Sequence, residues 1–151
     1  LDFNLARVTL QLKSFSEAEK YINKYLQKVP SSSKGLLLLG KIYQESGKIE
    51  LSEETYKKIQ GGGINSAKAY NNLGILFIKQ KKYEKARNAF NASINFYPKI
   101  SDAHYNLGKL ILDSKGDTNL ARRHLEFALA YNRSPYLKQE IDRLLEEMLS
   151  P

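Results

Sequence analysis

Apolar residues recur along this chain at three- and four-residue spacings, with short polar breaks between the runs. Leu1, Leu5, Val8 and Leu12 open the pattern. Ala69, Tyr70, Leu73, Leu76 and Phe77 form a stripe in mid-chain, and Tyr83, Ala86, Phe90 and Ile94 form the next. That spacing gathers apolar side chains on one face of an α-helix. Lys81-Lys82 lies between the two stripes and predicts a tight turn. The pattern therefore predicts pairs of amphipathic helices.

The pairs repeat. Leu39-Gly40, Leu73-Gly74 and Leu107-Gly108 stand 34 residues apart, and one more step back meets Leu5-Ala6. A second small slot follows 12 residues later at Ala18, Ser52 and Ala86, and one residue late at Ala121. Ile22, Tyr56, Phe90 and Leu125 follow at a fixed offset, then Tyr25, Ile59, Ser93 and Ala128. Pro30 and Pro98 close the first and third units. Glycine inside a helix costs about 1 kcal/mol relative to alanine. Three such glycines in register need a reason. Small residues on both helices let the axes close to about 8 Å.

These residues resemble the tetratricopeptide repeat (TPR) family. Residues 67–100 fill every signature slot with Tyr70, Leu73, Gly74, Phe77, Ala86, Phe90, Ser93 and Pro98. The resemblance covers four units, at about 1–32, 33–66, 67–100 and 101–135, within one domain of 1–151. Departures are Thr9 in an aromatic slot, Ile64 and Arg133 in the proline slot, and one extra residue between 113 and 119. An amphipathic helix over 135–149, started by Ser134-Pro135, would cap the array. Residues 61–63, all glycine, read as a helix stop with a loose connector or as a hinge. The implied fold is all-α: a right-handed superhelix of antiparallel helix pairs, with the first helices lining a concave face.

The resemblance implies a groove for a peptide segment or helix of a partner. Its candidate residues are Asn4, Arg7, Leu37, Lys41, Lys68, Asn71, Asn72, Ile75, Lys79, Tyr105, Asn106 and Lys109, flanked by Phe3, Gln11, Lys34, Leu38, Glu45, Asp102 and Asp113. Asn4, Asn72 and Asn106 each precede the small slot by two residues, and Leu38 breaks the series. An amide offers both donor and acceptor and can clamp peptide backbone. The alternative is that these amides bond only their own helix turn or water. On the first view, alanine at Asn72 and Asn106 weakens binding with little change in melting temperature. Cations outnumber acids in the set, which favours an acidic partner. The family's dicarboxylate clamp is not met: Phe3, Arg7, Asp102 and Asn106 stand where it needs other residues. Chaperone-tail binding is not expected.

Composition narrows the chemistry. The 151 residues carry a net charge of +8 and contain no Cys and two His. Thiolate metal sites, disulfides and cysteine nucleophiles are excluded. His104 falls in a packing slot. No nucleophile–base arrangement stands out, so no enzyme, cofactor or metal is expected. The run 79–87 is the best nucleic-acid candidate but lacks clustered Arg, so specific nucleic-acid binding is not expected. The longest apolar run, 36–39, is too short to span a membrane. A cytoplasmic location is the default; a leader before Leu1 would make the periplasm or envelope the alternative. Two other functions stay open. One is an end-to-end scaffold, since Lys138 and Arg143 against Glu140, Asp142, Glu146 and Glu147 leave the last helix at −2 and the preceding 133 residues at +10. The other is the partner-binding arm of a larger enzyme.

Overall fold

The computed structural model describes residues 1–149. Regular structure among them is helical: α1 (Asp2–Gln11), α2 (Phe15–Lys28), α3 (Ser33–Glu45), α4 (Ile49–Lys57), α5 (Gly63–Lys79), α6 (Tyr83–Phe96), α7 (Ser101–Asp113), α8 (Thr118–Tyr131) and α9 (Pro135–Glu147). Odd and even helices pair as α1/α2, α3/α4, α5/α6 and α7/α8. Each even helix also packs on the next odd one, and α9 closes on α8. The result is a stack whose core falls into successive clusters, the largest running from Tyr56 of α4 to Ala121 of α8.

The turn inside each pair follows one recipe. Lys13, Gly47, Lys81 and Lys115 occupy the left-handed region, with φ of 58°, 79°, 58° and 53°. At each, the next N–H reaches back to a carbonyl in the last helical turn, as Lys82 N does to Phe77 O at 2.8 Å. This Schellman closure satisfies carbonyls that the helix leaves free. Only the second unit uses glycine there. The extra residue of the fourth unit lies in the turn before α8, where Asp117 accepts from the N–H groups of Asn119 and Leu120.

The small slots work as close-packing sites, and the structure adds what fills them. A β-carbon at Gly40 would press into the Tyr56 ring, and one at Gly74 into the Phe90 ring. Gly108 meets Leu125 and the Ala121 carbonyl at 3.1 Å. Ala6, Ala18, Ala86, Ala121, Ile22, Leu125 and Tyr56 are fully buried. The buried serines are tied down: Ser52 Oγ, in a small slot, donates to Gly40 O at 2.7 Å, and Ser93 Oγ, seven residues after the small slot of its unit, to Ala67 O at 2.6 Å.

The glycine triplet is neither a plain stop nor a loose end. Gly61, Gly62 and Gly63 have φ of 100°, 74° and 68°. Gly62 is the N-cap of α5, and Gly63 is its first residue. So α4 is only 9 residues long, and α5 runs to 17. The triplet shifts helix from the second unit to the third. Glycine is required because three successive positive φ values would strain any side chain. At the far end, Ser134 accepts from Leu137 N and Pro135 takes the first turn of α9. Ile141 and Leu144 seal the α8 face, while Lys138–Asp142 and Arg143–Glu140 ion pairs occupy the outside.

Candidate functional site

The odd helices bring together a concave cavity of about 520 Å³. Phe3 and Arg7 of α1, Lys34, Leu37, Leu38 and Lys41 of α3, Lys68, Asn71 and Asn72 of α5, and Asp102 of α7 line it. Four cations thus face one carboxylate. Lys41 has a partner in Glu45 at 3.7 Å, but both are well exposed. Pairs of that kind contribute little. Lys34 is held by aromatic faces: its Nζ lies 5.2 Å from the Phe3 centroid and 5.9 Å from that of Tyr25. Arg7 and Lys68 are exposed and have no acidic partner among the described residues.

Nearer the C-terminal end, Ile75, Ile78, Phe90 and Leu110 form an apolar notch of about 170 Å³ rimmed by Asn106, Lys109 and Asp113. Lys109 and Asp113 are paired there at 3.1 Å. Three candidates from the sequence fall outside both hollows. Asn4 and Lys79 are exposed on their helices without lining either one. Tyr105 is half-buried against the α8–α9 cluster. Gln44 and Asn65 line the larger cavity and were not legible as such. Asn65 reaches it because α5 starts early.

The asparagines are more engaged than their spacing suggests. Asn72 Nδ2 donates to the Tyr56 hydroxyl at 3.1 Å, and that hydroxyl donates to Gln44 Oε1 at 3.0 Å. Burial pushes the Tyr56 pKa up to about 12, against the opposing pull of the Asn72 donor. Asn106 Nδ2 donates to Asn71 Oδ1 at 2.8 Å, and Asn71 is buried. Both amides therefore commit a donor to holding the scaffold. Asn72 and Asn106 thus bond neighbouring helices rather than only their own helix turn or water, so their removal touches stability.

A histidine pair joins α7 to α8, His104 buried and His124 half-buried. His104 is buried and stacks on Phe127 with centroids 4.2 Å apart, as a packing residue should. It also has polar work that its slot did not announce. Its Nε2 lies 3.0 Å from Pro98 O and its Nδ1 2.9 Å from His124 Nδ1. A carbonyl only accepts, so the neutral ring carries its proton on Nε2, and His124 donates to His104 Nδ1. Burial holds both imidazoles below their usual pKa, and for His124 the neighbouring His104 adds to it. The pair anchors the Pro98 loop to α8. Among the described residues no group of three or more His, Cys, Asp or Glu side chains could hold a metal ion.

Known proteins share this arrangement. Residues 67–100 and 33–60 match two tetratricopeptide repeat models. The type IV pilus assembly protein PilF of Pseudomonas aeruginosa is 30% identical over 139 residues, covering 90% of this chain and 55% of that protein. The solved PilF structure superposes with a TM-score of 0.75 at 26% identity, covering 97% of this chain and 67% of that one. MamA superposes with a TM-score of 0.66 at 25% identity over 85% of this chain and 74% of that one. BBSome complex member BBS4 of Bos taurus is 28% identical over 104 residues, 69% of this chain and 20% of that protein. The chain spans about half the length, or less, of the curated relatives it matches. With its register, its closed small slots and these matches together, the chain is a tetratricopeptide repeat protein, an all-helical protein-interaction module.

Proposed function

We propose that this array is an adaptor that holds an extended, acidic segment of a partner protein in its concave groove. One observation carries the proposal: the 520 Å³ cavity gathers Arg7, Lys34, Lys41 and Lys68 against Asp102 alone. Cations grouped in a concave wall raise the local concentration of an anionic partner. The half-buried Leu37 and Leu38 supply apolar contact beneath the charges. The amide oxygens of Asn72 and Asn106 would accept from the ligand backbone. The rigid stack keeps the ordering cost of binding low. Fluorescence polarisation with a labelled oligoglutamate peptide tests it. Binding should weaken with salt and weaken further in Arg7→Glu/Lys68→Glu. Equal affinity for wild type and that variant sinks the proposal.

End-to-end association is the second reading, and α1 favours it. Val8 and Leu12 are 51% and 70% exposed. One repeat along, Ile42 stands where Val8 does; it is fully buried, as is Leu76 in the third unit. The face that each inner unit covers has no neighbour on α1 among the described residues, so a preceding helix or a second copy of the chain would bury it. The acidic outer face of α9 supports this reading less, because its charges pair along the helix. Light scattering across protein concentration decides: a monomer at every concentration removes it.

A further inference from the structure

A third hollow lies away from the groove, where the stack's inter-unit loops meet. Ile64 at the start of α5, Tyr97 and Lys99 before α7, and Tyr131 and Arg133 before α9 enclose about 550 Å³. Antiparallel pairing puts these three connections on one edge, opposite the Schellman turns. Two of the five are the positions where the repeat drops proline: Ile64 and Arg133 occupy the slot that Pro98 fills between them. The departures are thus not scattered. Both line the same cleft.

The chemistry of the cleft is one-sided. Lys99 and Arg133 are exposed and have no acidic partner among the described residues. Among the described residues no acidic side chain lines the hollow. Lys99 Nζ lies 5.5 Å from the Tyr131 centroid, which keeps the cation over the cleft wall. Ile64, Tyr97 and Tyr131 are 45%, 36% and 42% exposed. The walls are steady: the His104–Pro98 bond ties down the loop that carries Tyr97 and Lys99, and Asn132 bonds Ser134 on both sides beside Arg133. Apolar faces this exposed, next to unpaired cations, fit a ligand that is apolar on one side and anionic on the other.

We infer that this edge cleft is a second protein-docking site, taking a partner segment with a carboxylate beside an aromatic or aliphatic side chain. The carboxylate meets Lys99 and Arg133, and the apolar side chain lies among Ile64, Tyr97 and Tyr131. A polypeptide fits better than nucleic acid. Two cations neutralise few phosphates, and weak, salt-limited binding would result, whereas the exposed isoleucine gains only from an apolar neighbour.

The test uses the isotope-labelled protein and a blocked Gly-Glu-Phe-Glu-Gly peptide followed by NMR. Amide shifts should cluster at Ile64, Tyr97, Lys99, Tyr131 and Arg133. The Gln-for-Glu peptide should bind at least about twofold more weakly, as two exposed ion pairs warrant. Lys99→Glu/Arg133→Glu, both at exposed positions, should do the same while keeping the helical circular dichroism of the parent. Arg7→Glu/Lys68→Glu should leave the cleft shifts intact, so the two sites are judged separately. Shifts confined to the concave groove, no shifts at millimolar peptide, or tighter occupation of the cleft by single-stranded oligothymidine would each overturn the inference.

Discussion

A methyl group added at Gly74 would lie 2.6 Å from Cδ1 and 2.8 Å from Cζ of Phe90, and closer still to Cε1. Phe90 is 1% exposed, so displacing its ring means repacking the core around it. Two opposed effects meet in Gly74→Ala. Helix propensity gains about 1 kcal/mol. Overpacking a full core loses about 1–3 kcal/mol, and so close a clash belongs at the upper end. The expected net is a loss of about 1–2 kcal/mol. Leu125 fills the Phe90 slot in the fourth unit, where Gly108 would meet it at a gentler 3.1 Å. In a Phe90→Leu background, Gly74→Ala should therefore become neutral or stabilising. Urea unfolding by far-ultraviolet circular dichroism of the four proteins in this cycle measures the coupling, expected at about 1–3 kcal/mol. A single Gly74→Ala variant more stable than the parent would refute the close-packing account.

The histidine pair makes stability depend on pH. Both imidazoles titrate below the usual 6.5 in the fold, so the unfolded chain binds protons first; stability is complete above about pH 6.5 and falls as the pH drops through the unfolded value towards the folded ones. Urea midpoints at about pH 7.5 and 5.5 should show that loss, reduced in His124→Gln. Lys81→Gly should raise the urea midpoint, because glycine relieves a left-handed residue worth up to about 1 kcal/mol; an unchanged or lower midpoint contradicts this. Asn106→Ala should cost about 1–3 kcal/mol by stranding the buried Asn71 oxygen. Asn72→Ala should cost less, about 0.5–1.5 kcal/mol, because Tyr56 retains Gln44; melting temperatures unchanged in both would show that neither bond matters.

Much of the stack was legible because its signals are local and recur. The 34-residue register named the helices, the small slots and the Lys81 turn, since each depends on spacing along one helix or on the partner one turn away. The concave cations were legible for the same reason: they share a helix face with the Leu-Gly pairs. The contacts of Asn72 were not. Its spacing says which face it occupies, yet Tyr56 lies 16 residues back on another helix. Tyr105 belonged to the groove by register and was taken by α9, whose docking no period describes.

The sequence alone determined the helix pairs and the repeat, because propensity, periodicity and small-residue packing are set within a few turns of chain. Tertiary structure decided which side chains meet. It moved helix from α4 to α5 through three glycines. It turned two isolated histidines into an anchor for the Pro98 loop. It also placed Ile64 and Arg133, read singly as lapses from a consensus, in one cleft with Tyr97, Lys99 and Tyr131. Such meetings depend on how rigid units stack across loops, where distance in sequence carries no information about distance in space.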